Sequence, residues 1–449
     1  MKIEIHVNGA RRHKNGLADI VIQVPSLSVK RRLDISLEEF VALFGVPETL
    51  ICDFLLVASI VYTIDKSVSR SHSEDRWTRH FEVRIPVNDP KRWNRIASQL
   101  NATLSFLSGD TWDISFRTPG SALFVAPKKG VPTLPQKASR NPGRNAVSLF
   151  SGGLDSLAGA IDLLENDHSI RVVLVGHFDH GGPGAQQRRL FTPIKDKFGA
   201  RAQLLQMKVG HRPSGALEPS SRCRSFLFIA LGISAAASLR SDIPLFAHEN
   251  GVIAVNLPLN PARGGSCSTR TMHPYFLEAI RKVLRELGLT NPIYNPFASK
   301  TKGECMVDCL NQALLKQLYL SAVSCAHGNR RQHWKRKSSG NCGYCMPCIF
   351  RRAALHKLKI DSGKDYGMDF CTGEIEIGEA SQSSDDLRAM IDFLRRPRSK
   401  DVLLREAYRA SPVPSREDVG AMLSRGYGEV AELLRTKGKA QLLRAAAIK

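Results

Sequence analysis

Long hydrophobic runs are missing from this chain. The most apolar stretch, Leu50 to Ile64, is interrupted by Asp53 and is shorter than the ~20 residues a membrane span needs. The first residues, MKIEIHVNGARRHKNG, lack the apolar core of a secretory signal. These absences predict a soluble cytoplasmic protein with no membrane partner. Acidic residues are scarce beside basic ones: 42 Asp and Glu against 64 Lys and Arg, a formal charge of +22. That excess favours an anionic partner, whether nucleotide, nucleic acid or acidic protein, although charge alone does not locate a patch. Ten cysteines in 449 residues are too few for a disulfide scaffold. In a reducing compartment, clustered cysteines are metal ligands instead. No internal repeat is evident.

What is present reads as two or three globular domains, with 43% hydrophobic residues to supply a core. Residues 1–120 read as an α+β domain, a scaffold or partner-docking unit. KIEIHV and HFEVRIPV alternate like half-buried strands, and ADIVIQV and DTWDISF are β-rich. Glu48 to Val68 reads as a helix apolar on most sides. Residues 121–144, rich in Pro, Gly and Lys, form a linker. From residue 145 the pattern alternates strand and helix: AVSLF, a helix from Leu154, RVVLVGHF, a helix through Gln186 to Lys197, AQLLQMKV, a helix from Arg222 to Leu239, then PLFAH. This order predicts an α/β fold with a doubly wound parallel sheet. In such sheets a ligand lies at the carboxyl ends of the strands. Residues 361–449 read as an acidic stretch followed by two or three charged helices.

The first strand of that sheet runs into Ser151-Gly152-Gly153-Leu154-Asp155-Ser156. Two glycines permit backbone angles and close approach that side chains would block. Their N–H groups and the following helix start make an anion site. Ser151 and Ser156 add hydroxyls, and Asp155 can cap the helix or meet Mg²⁺. No Gly-Lys-Ser/Thr follows, so this is not the loop that serves γ-phosphoryl transfer.

A second constellation is Cys342-x2-Cys345-x2-Cys348. Three thiols within seven residues suit a closed, structural, tetrahedral zinc site. Cys325, upstream, is the expected fourth ligand; Cys305, Cys309, Cys371 and His327 are the other candidates.

The string FSGGLDS resembles the signature of the PP-loop ATP pyrophosphatases, a HUP-like fold. That resemblance implies a loop gripping the β- and γ-phosphates while the α–β bond breaks, giving AMP and pyrophosphate. With the cysteines, in SCAHGN…CGYCMPCIFRRAAL, the chain resembles QueC-like enzymes of 7-cyano-7-deazaguanine synthesis over roughly residues 145–360, zinc element 325–348 included. By matching segments the resemblance implies roles for Arg222, in SSRCRSFLFIALGISAA, and for Lys302 and Glu304, in SKTKGE. Arg222 and Lys302, with Asp155, are the catalytic candidates; Ser151 to Ser156 and His177 are the ATP-binding candidates. The pattern departs from QueC after the second strand, where His180-Gly181-Gly182 replaces Tyr-Gly-Gln. The usual deazapurine segment is replaced by HENGVIAVNLPLNPARGGSCSTRTMHP, and a basic insert, NRRQHWKRKSSG, separates the zinc cysteines. These departures, with the extra terminal domains, are similar to the QueC-like proteins of bacterial antiphage operons, above all the QatC group.

The resemblance implies ATP, Mg²⁺ and Zn²⁺ as cofactors and a 7-deazaguanine-type carboxylate as substrate. It implies adenylation of that carboxylate, then amide formation with an amine on another protein of the same defence operon, or with ammonia to give the nitrile. Candidate substrate residues are His180, Glu249, Asn250, Arg270 and His273. Two other readings stay open. The chain could modify or bind RNA, the insert RRQHWKRK supplying charge and Trp334 a stacking ring. It could also be a nucleotide-gated assembly factor without catalysis.

Overall fold

Alternating apolar residues build the N-terminal strands. In β1 (Lys2–Arg12), Ile3 and Ile5 are buried and His6 is exposed. The computed structural model describes residues 1–12, 16–125, 143–215, 217–260, 270–377, 384–412 and 417–448. Most of the expected linker lies outside the described residues. β2 (Ala18–Val24) and β3 (Val29–Ile35) continue from β1 as antiparallel neighbours. β4 (His80–Pro86) and β5 (Thr111–Arg117) add to the other side of β1 in parallel. Helices α1 (Glu38–Phe44), α2 (Thr49–Ser67), α3 (Pro90–Arg95) and α4 (Ala97–Ser108) connect these strands. Sixteen of the nineteen residues of α2 are buried, so this helix lies inside the molecule rather than on its surface.

The strand–helix alternation after residue 145 forms the other half of the sheet. β6 (Ala146–Leu149), β7 (Val172–Phe178) and β8 (Ala202–Arg212) are joined by α5 (Leu154–Asn166) and α6 (Gly181–Phe198). After α7 (Arg224–Leu239) the chain returns to the far side of β6, as β9 (Leu245–Phe246) and then β10 (Ile293–Tyr294). α8 (Gly251–Val255) and α9 (Pro274–Leu287) lie between those two strands. The five strands run β10-β9-β6-β7-β8, all parallel. Helices cover both faces. Val147 and Val173 pack into one core with α7, while Ala146 and Val172 pack into another with α5 and α6. The period-2 alternation of a strand divides its side chains in this way.

The two halves are one sheet. β3 pairs antiparallel with β8, from Arg32 opposite Arg212 to Ile35 opposite Val209. The full order is β10-β9-β6-β7-β8-β3-β2-β1-β4-β5, ten strands, mostly parallel. β8 would otherwise be an open edge, and β3 satisfies its backbone groups. The N-terminal residues are thus continuous with the second half through main-chain hydrogen bonds.

A buried ionic cluster locks the same seam. Arg79 is inaccessible to solvent. Its Nη2 donates to Asp65 Oδ1 (2.6 Å) and Asp110 Oδ2 (2.7 Å), and its Nη1 donates to the carbonyls of Asp65 and Val68. Asp65 also accepts from the Cys223 N–H (3.0 Å), one residue before α7. Arg70 donates to Asp110, and its N–H donates to Glu218. Charges buried this deeply persist only when paired and hydrogen-bonded.

Beyond β10 come α10 (Lys302–Val307), α11 (Gln312–Leu318) and α12 (Met346–Lys357). The C-terminal residues form four helices: α13 (Asp385–Arg395), α14 (Lys400–Ala410), α15 (Glu417–Lys437) and α16 (Ala440–Ala446). They share one apolar core with the cysteine element, including Cys342, Cys348, Phe350, Met390 and Tyr427. Among the described residues, no helix is long and apolar enough to cross a membrane.

Candidate functional site

The strand order locates a crevice. From β6 the chain proceeds to β7 and β8 on one side, then returns to β9 on the other. The loops after β6 and β9 therefore diverge, and ligands of open parallel sheets bind at such a switch point. The loop after β6 is Phe150 to Gly153, and the loop after β9 is Ala247 to Asn250.

The glycine-rich turn is built as a cradle of N–H groups. Gly152 has φ +86°, a left-handed angle that favours glycine. The Gly153 N–H donates to Ser151 Oγ (3.2 Å), and the Leu154 N–H donates to Ser324 Oγ (3.3 Å). Two serine hydroxyls thus take the positions that oxygens of an anion would take at a helix start. Ser156 Oγ donates to the Gly153 carbonyl (3.0 Å). The Leu154 side chain is fully buried, so only its backbone faces the crevice. The loop is braced from outside: Gln186 Nε2 (2.6 Å) and the Val323 N–H (3.0 Å) both donate to the Gly152 carbonyl. Nothing in the sequence marked Gln186 or Ser324, because each is a single polar residue remote in the chain.

Asp155 does not cap its own helix. Lys302 Nζ donates to its Oδ1 (2.5 Å), and Asn250 Nδ2 donates to its Oδ2 (2.8 Å). Three expected residues, one from α5, one capping α8 and one from α10, thus meet at the switch point, all buried. Glu249 is half-buried beside them and accepts from Thr271 Oγ1 (3.3 Å). Burial, with the Asp155 charge nearby, pushes the Glu249 carboxyl up to about 7. A carboxyl with that value exchanges protons near neutrality.

The other expected residues are engaged elsewhere. His177 is fully buried, its Nε2 bonded to the Val209 carbonyl (2.9 Å) and its Nδ1 accepting from Arg224 Nε (3.3 Å). Burial and the Arg224 charge lower its pKa to about 3, so it is a neutral structural imidazole with no nitrogen left for ATP. Arg222 lies over the Trp77 ring at 5.4 Å, its Nη1 3.5 Å from the Ser108 carbonyl, and so belongs to the seam with the N-terminal strands. Arg270 donates to the Phe106 carbonyl (2.7 Å) and stacks on that ring. His273 caps α9, accepting from the Tyr275 N–H, while its Nε2 meets Ser411 Oγ (2.6 Å). His180 is exposed, 3.6 Å from Asp179. Glu304 turns away from the crevice: it completes a capping box with Thr301 and pairs with Arg425 (2.6 Å). Long-range partners, invisible to local pattern, claim His177, Arg222, Arg270, His273 and Glu304.

Cys325, Cys342, Cys345 and Cys348 converge, with all four sulfur atoms within 4.8 Å of one another. Cys325 lies 4.0 Å from Cys345, and Cys342 lies 3.7 Å from Cys348. A tetrahedral zinc with Zn–S bonds of about 2.3 Å separates its sulfurs by about 3.8 Å. The N–H groups of His327 and Cys342 donate to Cys325 Sγ, and those of Tyr344 and Cys345 donate to Cys342 Sγ. Such bonds stabilise thiolates. The donor set fits zinc. Cys305 and Cys309 are buried beside α5, and Cys371 lies in the C-terminal core. Among the described residues, no other group of three or more His, Cys or acidic side chains is placed to hold a metal.

No family model and no curated protein matches this chain.

The cysteine element and the glycine-rich loop are physically joined. Ser324 precedes Cys325 and Asn341 precedes Cys342. The Ser324 N–H donates to Asn341 Oδ1 (3.0 Å), and Asn341 Nδ2 donates to the Ala322 carbonyl (3.2 Å). Residues 322–324 form a strap, pinned to the cysteine element on one side and to the loop on the other. The basic insert offers no stacking platform: Trp334 is buried, 2% exposed, against Gly367.

Proposed function

We propose that this chain uses ATP to adenylate a 7-deazaguanine-type carboxylate, then joins the acyl group to an amine of a partner protein in a bacterial antiphage operon. The observation that carries this reading is the pairing of a serine- and glycine-lined N–H cradle with the Asp155–Lys302–Asn250 cluster at the switch point. The resemblance to QueC-like enzymes supports the choice of carboxylate, and the departures from them support a protein amine over ammonia.

The carboxylate oxygen attacks the α-phosphorus, the bond to the β-phosphate oxygen breaks, and pyrophosphate leaves. The amine nitrogen then attacks the acyl carbon, AMP leaves, and the amine loses a proton. The loop amides and the hydroxyls of Ser151, Ser156 and Ser324 hold the departing pyrophosphate, as prearranged donors do for developing charge. Lys302 supplies the positive charge that a Walker lysine supplies elsewhere. Asp155 holds its ammonium group in place, and Asn250 holds Asp155. Glu249, with a pKa of about 7, accepts the proton of the amine. Mg²⁺, when bound with the triphosphate, would neutralise its charge, and Asp155 is the carboxylate that would meet it. Zinc, when bound, closes the cysteine element and carries no chemistry of its own. Burial of Trp334 removes the stacking ring on which an RNA-binding reading relied.

The test is AMP release from Mg·ATP with and without 7-carboxy-7-deazaguanine. AMP that appears only with the acid, and is lost in Asp155→Asn and Lys302→Met, is the expected result. No acid-dependent AMP from zinc-loaded protein with its operon partners present would overturn the proposal.

A further inference from the structure

We infer that helix α15 is a working part of the site and that its Glu429 is a positioning residue for Lys302. The inference rests on the reading of Lys302 and Asp155 as the ATP-site pair. From sequence, the C-terminal helices carried no role beyond packing or partner contact. Their placement assigns one.

Glu429 brackets Lys302 from both sides. Its Oε1 accepts from Thr301 Oγ1 (2.5 Å), and its Oε2 accepts from the Gly303 N–H (3.1 Å). Lys357 Nζ, from the helix that follows the cysteines, neutralises the same carboxylate at 2.8 Å. Glycine is required at 303 for this grip: a Cβ there would lie 2.5 to 2.6 Å from the Glu429 carboxylate. One helical turn earlier, Arg425 donates to Glu304 (2.6 Å) and to the Ser299 carbonyl (3.1 Å). Residues four apart share a helix face, so one face of α15 holds the segment from Ser299 to Glu304. Lys302, at its centre, is left to reach across to Asp155 (2.5 Å). The same helix braces the other arm of the crevice: Gly426 packs under Val252, and Met422 packs against Gly251, next to Asn250.

A buried lysine reaches one carboxylate only if its backbone is fixed. Without Glu429, Thr301 Oγ1 and the Gly303 N–H lose their common acceptor, and the start of α10 is left to its capping box and the Arg425 contacts. Lys302 then samples positions away from Asp155. Glu429 touches neither Lys302 Nζ nor any reacting atom; it acts through the backbone on either side.

The test reads Lys302 directly. Full-chain, zinc-loaded protein is briefly acetylated with acetic anhydride, and acetylation at each lysine is quantified by mass spectrometry. In the unaltered protein Lys302 is protected. In Glu429→Ala we expect its acetylation rate to rise about tenfold, the equivalent of one hydrogen bond to a charged group, with zinc content and thermal melting retained. Glu429→Gln, which keeps an acceptor oxygen, should show a smaller rise, and it serves as the second variant if the alanine protein does not fold. Where AMP release is measurable, Glu429→Ala should lower kcat more than it raises the KM for ATP. Unchanged Lys302 reactivity in folded Glu429→Ala or Glu429→Gln would overturn the inference. So would an equal rise at Lys66, a half-buried lysine of α2 remote from α15, because that would mean general loosening. The footprint needs no ATP, so a failure of the proposed chemistry and a failure of the clamp give different results.

Discussion

Removing the metal from zinc-loaded protein should loosen the glycine-rich loop, and the size of the effect follows from two hydrogen bonds. The strap at residues 322–324 holds the loop through the Val323 N–H on the Gly152 carbonyl (3.0 Å) and Ser324 Oγ on the Leu154 N–H (3.3 Å). Its position depends on Cys325 at one end and, through Asn341, on Cys342 at the other. Stripping the metal frees both anchors. Each lost bond is worth about 1 kcal/mol net, so the loop loses about 2 kcal/mol against local opening. That is about a 30-fold rise in amide exchange where opening and closing are fast. The assay is hydrogen exchange by mass spectrometry on peptides covering Ser148 to Gly159, before and after chelation, with metal content measured in parallel. Peptides from β4 and β5 serve as the control, because the strap does not touch them. Asn341→Ala, with zinc still bound, should reproduce much of the effect. Confirmed metal loss with unchanged exchange of the loop would refute the reasoning, and so would an Asn341→Ala protein whose loop is as protected as before.

Three other outcomes follow from packing and charge. Arg79→Met should destabilise the protein by about 3–5 kcal/mol in denaturant unfolding, because Asp65 loses a salt-bridge partner in a dry seam. A deficit below about 1 kcal/mol, no larger than that of an exposed ion pair, would contradict this account. His177, His248 and His273 are buried with pKa values lowered to about 3, 4 and 4, burial being the largest cause. Their neutral forms stabilise the fold above pH 6.5, and that stability is lost as pH falls from 6.5 toward 4, by up to about 1.4 kcal/mol per pH unit for each histidine. Melting temperatures measured from pH 7 to 5 should fall accordingly, and less steeply in His248→Gln. Gly159→Ala should destabilise by about 1–3 kcal/mol or more, because its Cβ would lie 2.0 Å from the His248 ring; a neutral result would mean that ring moves freely.

Local periodicity and spacing were enough to read much of this chain. β6 and β7 are short apolar runs, β-branched above all in β7, set between turn residues and helical patterns, and it is that combination of length and flanks that reads as strand. The turn at Ser151 to Ser156 was legible because an N–H cradle is made by consecutive residues. Cys342, Cys345 and Cys348 were legible for the same reason: two-residue spacing is a local constraint on ligand geometry. Strand β3 was missed. Its Lys30, Arg31 and Arg32 do not read as apolar alternation, and it is a strand because β2 and β8 pair with it on either side.

Only the tertiary structure decided which of the candidate charged side chains meet. Asp155 and Lys302 are 147 residues apart in the chain, and nothing in either segment names the other. Arg222 and His177 resemble ligand-binding residues by position, but Trp77, Ser108, Val209 and Arg224 claim them. Glu429 sat in a stretch that read as an ordinary charged helix, and only folding brings it to Thr301 and Gly303. The physical reason is common to all three. Backbone periodicity is set by neighbours in sequence, whereas the pairing of a buried charge is set by whichever partner the completed core brings within about 3 Å.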